Sequence, residues 1–300
     1  MTIKTSRTNE DGRIIINYAR CKACGACVTV CKDLDLVIED GRLAVSRNSF
    51  FGCLACGQCA AVCPNEAIHV VGRCAAEDDY VRMPSRGEMA DYGQLNSLML
   101  GRRSVRDFKP EEVPNDIAEK IISAASTAPM GIPPSDVGLL VLGGRKKVRQ
   151  FSFDFIDYAE SIKWAFSPFM ITLMRPFIGR DNYEAFKSFI IPLFDFLIEG
   201  RHKDEDWLLY DAPLAIYFYS LPFADPCIAA TYAMLAAEAL GLGSCMIGTV
   251  GPLFKRGGAK LKKKYGINPK GKDGIVVIFG YPKFKYHRAI RRTFAEVKTP

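Results

Sequence analysis

The chain is short of the features that mark several large functional classes. No apolar run reaches the roughly 18–20 residues of a spanning helix; the longest candidate, Ile162 to Ile178, is broken by Lys163, Pro168, Arg175 and Pro176. The first residues, MTIKTSRTNEDGR, lack the apolar core of a secretory signal. No Gly-rich dinucleotide fingerprint follows an apolar strand, and no basic stripe is interleaved with aromatics. Histidine is scarce, with three copies at His69, His202 and His287, and no side chain stands out as an acid or base. These absences lead us to expect a cytoplasmic protein with no stable membrane insertion and no nucleic-acid partner. They leave any catalytic side chain unknown. The composition is that of an ordinary globular protein, 49% apolar and 24% charged over 300 residues. Its net charge of +7 favours acidic partners or phosphorylated cofactors.

Cysteine, by contrast, is abundant. Eight of the eleven cysteines fall in two tight groups, a pattern of metal ligation rather than of disulfides in a reducing compartment. The first is Cys21-x2-Cys24-x2-Cys27-x3-Cys31, and the second is Cys53-x2-Cys56-x2-Cys59-x3-Cys63 followed by Pro64. Both contain Ala-Cys-Gly, at 23–25 and 55–57. The block is an internal duplication that resembles the two-cluster bacterial ferredoxins over about residues 13–72. In such a motif three closely spaced thiolates bind one [4Fe–4S] cube, and the fourth comes from the other repeat. One cluster is therefore expected on Cys21, Cys24, Cys27 and Cys63, the other on Cys53, Cys56, Cys59 and Cys31. A pair of zinc sites is the alternative, but zinc favours ligands in separated pairs. Lys32 stands where the motif usually has proline. Cys74 lies outside the repeat and reads as an incidental thiol, and Cys227 and Cys245 read as inert thiols in apolar helical contexts.

The run LDLVIEDGRLAVS alternates around Asp40-Gly41, a hairpin signal. Short strands are expected at RIIIN and AIHVV. Residues 73–92 are polar and aperiodic and read as linker. From Gly93 the pattern changes. Helices are expected at YGQLNSLML, at PNDIAEKIISAAS and at ADPCIAATYAMLAAEAL, the last ending at Gly241 and Gly243. Buried strands are expected at 138–144, at 211–220 and at GIVVIFGYP. The fold class is α+β, a small ferredoxin-like domain followed by a larger domain over 93–300.

The larger domain resembles the nitroreductase family of FMN-dependent flavoproteins. Four motifs carry the resemblance: GRRSVRDF at 101–108, AASTAPMGIPPSD at 124–136, AEALGLGSCMIG at 237–248, and VIFGYP with an Arg-rich tail. By itself, the first could be a solvated basic turn at a helix end or an anion site, with Arg102, Arg103 and Arg106 around the Ser104 hydroxyl. The resemblance favours the second and implies that Arg102, Ser104 and Arg106 contact FMN. It places Pro129, Met130 and Gly131 along the isoalloxazine. The family usually has an Asn in that loop; here Pro133 stands near its position, and Ser135 is the candidate replacement. Ile247, Gly248 and Thr249 are expected near the flavin's reactive edge, and Arg288 and Arg291 near the phosphate, with a solvated basic tail as the alternative. The resemblance also implies a homodimer.

Residues 150–210 form an aromatic-rich insert, read as core and dimer packing or as a lid. Tyr158, Trp164, Phe166, Tyr183 and Phe186 are its candidate pocket residues. The expected activity is transfer of electrons through two [4Fe–4S] clusters to FMN and on to a small-molecule acceptor of nitroaromatic, quinone or enone type. The donor is expected to be ferredoxin, flavodoxin or NAD(P)H. The alternative is an electron-transfer or redox-sensing flavo-iron–sulfur protein without a substrate of its own.

Overall fold

A computed structural model describes residues 3–299 except 33–34, 47–48, 50–51, 77–78 and 268–271. Leu34, at the head of the hairpin run, and the side chain of Phe166 fall outside the described set. The chain divides into two units, Met1–Met89 with Met130–Asp136, and Ala90–Pro129 with Val137–Pro300.

The first unit runs β1 (Arg13–Ile16), α1 (Ala26–Val30), β2 (Leu36–Glu39), β3 (Arg42–Val45), α2 (Gln58–Ala61) and β4 (Ile68–Val71). Strands β2 and β3 form the expected hairpin, with Asp40 at φ 48° and Gly41 at φ 75°. Those two left-handed residues make the tight turn that matches strand twist. The other two strands pair with each other: β1 runs antiparallel to β4, with Arg13 opposite Val71. The two repeats take the same local path. Ala23 and Gly25 have φ of 51° and 79°, and Ala55 and Gly57 have 54° and 75°. The unit's core is small, formed by Leu36, Leu43, Ala60, Ile68 and Val70 with Cys27 and Cys59. So little buried apolar surface leaves such a unit dependent on a further staple.

Residues 73–89, expected to be linker, are counted with this unit. The physical reason lies in two side chains: Arg73 is buried and hydrogen-bonded, and Tyr80 packs on the small core.

The second unit runs α3 (Tyr92–Gly101), α4 (Asn115–Ser126), β5 (Gly138–Gly143), α5 (Arg145–Ser161), α6 (Pro168–Ile178), α7 (Arg180–Ala185), α8 (Ile191–His202), β6 (Leu214–Ser220), α9 (Ala224–Ala239), β7 (Gly243–Ile247), α10 (Val250–Arg256), α11 (Ala259–Lys264) and β8 (Asp273–Gly280). A capping box starts α3: Asp91 accepts from the Gln94 amide at 2.7 Å, and Gln94 Oε1 accepts from the Asp91 amide at 3.0 Å. The sheet order is β5-β6-β8-β7, and each neighbouring pair is antiparallel.

Both faces of this sheet are covered. Ala215, Tyr217, Cys245, Ile247, Val276 and Ile278 point towards α5, α8 and α10. Leu214, Ile216, Phe218, Ile275, Val277 and Phe279 point towards α4 and α9. Two covered faces explain why β6 and β8 read as continuous apolar runs. Strand β7 was not expected; GSCMI read as the end of a helix and a loop. Only Gly241 terminates α9. It has φ 79°, and the Leu242 amide closes back on the Ala237 carbonyl at 2.8 Å. Gly243 is a strand residue, and Cys245 is a buried strand thiol rather than a helical one. Among the described residues no helix is long and apolar enough to cross a membrane.

Candidate functional site

The eight repeat cysteines assemble into two groups of four. One cavity is lined by Cys21, Cys24, Cys27 and Cys63, the other by Cys31, Cys53, Cys56 and Cys59. Each group takes three thiols from one repeat and one from the other. Equivalent positions have equivalent exposure: Cys24 and Cys56 are exposed, Cys27 and Cys59 buried, and the other four half-buried. Among the described residues, no three His, Cys, Asp or Glu side chains converge closely enough to hold a single metal ion. The thiols instead surround a space.

Backbone amides point at the sulfurs. Ala23 and Ala55 donate to Cys21 and Cys53 Sγ at 3.4 Å in both cases, and Ala67 donates to Cys63 Sγ at 3.3 Å. Such donors stabilise charge on thiolate sulfur. Burial acts in the opposite direction on the free thiols. It pushes Cys53 up to about 11 and Cys59 up to about 12, with Cys31 and Cys56 nearby adding to the rise. The two cavities differ in their charged neighbours: Lys22 lines the first only, and the buried Asp35 the second only.

In the second unit, the basic turn after α3 is laid along β7. Ser104 forms an isolated parallel bridge with Ser244, and the Val105 amide donates to the Ser244 carbonyl at 3.0 Å. Gly243 permits this approach. A Cβ there would stand 2.5 Å from Val105 Cγ2 and 2.7 Å from its Cβ. A second attachment follows at once, since Lys109 donates to the Tyr281 carbonyl and Lys283 to the Asp107 carbonyl.

The turn collects polar groups. Burial raises the Cys245 thiol, while Arg106, Ser104 and Arg102 act against that rise. Arg106 also lies 5.7 Å from the centre of the Tyr210 ring. The carboxyl of Glu238 is raised by burial and opposed by Arg102 and Arg103. Arg103 donates to its neighbour's carbonyl at 2.6 Å and to the Arg288 carbonyl at 3.2 Å. Two buried polar atoms here lack a protein partner, Arg103 Nε and Ser244 Oγ. Buried polar atoms are rarely left so without a ligand or water to meet them. A basic, hydroxyl-bearing turn with unmet donors suits a phosphorylated ligand.

The remaining site candidates are distributed as follows. Ile247 ends β7, Gly248 is exposed after it, and Thr249 precedes α10. Pro129 belongs to the second unit, whereas Met130, Gly131 and Ser135 belong to the first. Arg288 and Arg291 are exposed on an extended tail. His202 sits 3.3 Å from Glu160, and His287 is exposed. Of the aromatic candidates, Trp164 lines a largely apolar cavity with Ser167, Ile191, Phe194 and the Lys163–Asp195 ion pair. Tyr158 packs instead against Gly257 and Gly258, and Tyr183 lies under Arg175. The first part of the insert is core: Phe151, Phe155 and Ile156 are fully buried in α5. Two residues escaped the sequence reading, Arg73 and Ser244. Arg73 sits in no motif, and Ser244 lies within AEALGLGSCMIG without standing out there; the burial of both was the signal, and it is a tertiary one.

Comparison with known proteins gives two family matches. Residues 99–281 match the Nitroreductase family, and residues 13–64 match the 4Fe-4S dicluster domain. Among solved structures, a nitroreductase with bound FMN from Bacteroides fragilis is 18% identical; the match covers 69% of this chain and 98% of that one, with a TM-score of 0.50. An FMN-dependent nitroreductase from Clostridium difficile is 19% identical over 70% of this chain and 100% of its own, with a TM-score of 0.46. No curated protein matches.

Proposed function

This chain belongs to the nitroreductase family and carries a 4Fe–4S dicluster domain, and from that premise we propose that it is an FMN-dependent oxidoreductase fed by two [4Fe–4S] clusters. The acceptor is a small organic molecule of nitroaromatic, quinone or enone type. The observation that carries the reading is the joint presence of two four-thiol cavities and a basic turn with unmet buried donors. Bound in these sites, the clusters would carry single electrons and FMN would gather two of them for delivery as a hydride equivalent.

Each residue set has a task. Cys21, Cys24, Cys27 and Cys63 hold one cluster; Cys31, Cys53, Cys56 and Cys59 hold the other. The amides of Ala23, Ala55 and Ala67 stabilise thiolate charge. Arg102, Arg103, Ser104 and Arg106 bind the FMN phosphate and ribityl groups, and β7 holds them in place. Ile247, Gly248 and Thr249 offer backbone donors at the reactive edge. Pro129, Met130, Gly131 and Ser135 are carried over from the family likeness as isoalloxazine contacts. Arg288 and Arg291 complete the phosphate site in a homodimer. A second copy is carried over from the family likeness, and it would offer cover to Phe284, Ile290 and Phe294, which are 60%, 62% and 85% exposed. The donor is a reduced ferredoxin or flavodoxin, or NAD(P)H.

The test uses protein purified without oxygen. Iron, acid-labile sulfide and FMN are assayed first, and flavin bleaching is then followed with reduced ferredoxin and with NADH or NADPH separately. Bleaching by ferredoxin that Cys24→Ser abolishes is the expected result. Iron without FMN would refute the flavoenzyme reading. Flavin that bleaches but then reduces no acceptor would favour an electron carrier without a substrate.

A further inference from the structure

The turn that follows β4 is unusual in its residues. Arg73 and Cys74 have φ of 50° and 65°, and the Ala75 amide closes on the Gly72 carbonyl at 2.9 Å. Two consecutive left-handed residues suit Gly, Asn or Asp; other side chains cost about 1 kcal/mol or more each. Here one of the two is an arginine whose residue is only 3% exposed.

That guanidinium meets backbone carbonyls. Arg73 Nη1 donates to the carbonyls of Ile3 at 2.9 Å and Glu10 at 2.8 Å, and Nη2 donates to the Pro133 carbonyl at 2.7 Å. Nε is buried without a protein partner, and no carboxylate pairs with Arg73 among the described residues. A buried cation without a counter-charge is a poor stabilising device, and an apolar residue of similar volume would serve a core better. What the arginine does achieve is to join three separate segments.

Three further bonds tie the same segments. Ser6 donates from its amide and hydroxyl to the Asp136 carboxylate at 3.0 and 2.7 Å, and Arg7 donates to the Ser135 carbonyl at 3.0 Å. The other end of the N-terminal segment is fixed to a cysteine loop. The Gly12 amide donates to the Cys53 carbonyl at 2.7 Å, and a Cβ on Gly12 would stand 3.0 Å from Cys53 Sγ. A continuous bonded route thus runs from Cys53 through Gly12, Asp11 and Glu10 to Arg73, and from Arg73 to Pro133. In sequence, Pro133 lies in the loop that connects α4 to β5.

We propose that Arg73 is a positioning residue that fastens the Met130–Asp136 loop to the N-terminal segment and, through it, to the Cys53 loop of the same unit. This rests on the function proposed above, in which that loop borders FMN. The step balances with a reduced ferredoxin or flavodoxin as donor: it would supply electrons singly, each lost by a cluster as the flavin gains it, and two electrons with a proton from solvent would complete the reduction.

The test compares wild type with Arg73→Ala, Arg73→Lys and Asp136→Ala, each with clusters and FMN in place. Hydrogen–deuterium exchange is read over residues 130–136, and flavin reduction is followed after photochemical reduction of the clusters. In Arg73→Ala, exchange should rise while iron content stays level, and cluster-to-flavin reduction should slow about 10- to 100-fold, the usual cost of losing a cofactor's supporting shell. Arg73→Lys and Asp136→Ala should fall between it and wild type. If Arg73→Ala fails to assemble, those two variants decide. Unchanged exchange in the loop overturns the proposal, as does faster exchange with an unchanged reduction rate. Wild-type flavin that the clusters never reduce would instead refute the function on which it rests.

Discussion

Gly243→Ala is the substitution that most directly tests the site's construction. The added Cβ would lie 2.5 Å from Val105 Cγ2, against the roughly 3.5 Å of a relaxed carbon contact. Val105 must therefore retreat by about 1 Å. Both residues are buried, and Val105 is itself bonded to β7 through the 3.0 Å contact of its amide with Ser244. A retreat of that size breaks the hydrogen bond, which weakens steeply beyond about 3.2 Å. Overpacking of this kind costs about 1–3 kcal/mol. In a domain of this size 2 kcal/mol lowers the thermal midpoint by about 4–8 °C. The functional effect should exceed the structural one. The Arg102–Arg106 turn moves with Val105, and a misplacement near 1 Å can cost a site about 100-fold. FMN affinity, measured by flavin fluorescence on release, should fall by about 10- to 100-fold. A double variant, Gly243→Ala with Val105→Gly, removes all three Val105 atoms that crowd the added Cβ and should recover part of both losses. The reasoning fails if Gly243→Ala binds FMN as wild type does, or if the second substitution simply adds its own cost.

Two other outcomes follow from the small core of the first unit and from the electrostatics of the second. Because the first unit depends on its staple, iodoacetamide should label all eight repeat cysteines alike in the cluster-free chain and few of them in the loaded protein, as read by peptide mass spectrometry; a cluster-free chain that still shields Cys27 and Cys59 relative to Cys24 and Cys56 would refute that dependence. Asp154, whose carboxylate burial raises but hydrogen bonds from Lys264, Tyr265 and Gln150 lower further, ends below the ordinary carboxylate range. Its stabilisation is fully present above the unfolded value near 3.9 and is lost only as pH falls through the lower folded one. Asp154→Asn should thus cost about 1 kcal/mol, discounted because Lys264 is half-exposed. That deficit should be the same at pH 5 and pH 7 in thermal melts, and a deficit that halves at pH 5 would contradict this account.

Much of the molecule was legible before any coordinates. The cysteine spacing led to the expectation of three thiols from one repeat and a fourth from its twin, and the eight thiols group in that way around two cavities. Apolar runs located β5, β6 and β8, and in β6 and β8, covered on both faces, the run does not alternate. The Asp40-Gly41 turn was equally plain, because few residues accept a left-handed backbone. Other features escaped. GSCMI is too short to declare itself a strand; it becomes one by pairing with β8. Gly243 looked like a helix stop, and only the nearness of Val105 gives it another reason. Arg73 looked like linker because its sequence neighbourhood is polar.

The sequence by itself thus determined the chemistry on offer: eight thiols in two sets, a cluster of arginines and a family-like order of loops. Local spacing carries that information, since it depends on residues close together in the chain. The tertiary structure decided which groups answer one another. It put Ser244 beside Ser104, buried Arg73 among three carbonyls, and counted Met130–Asp136 with the cysteine unit rather than with the helix and strand that flank it. Those pairings join residues from about 60 to about 140 positions apart, and nothing in a local pattern encodes them; they follow from burial, which the whole fold sets.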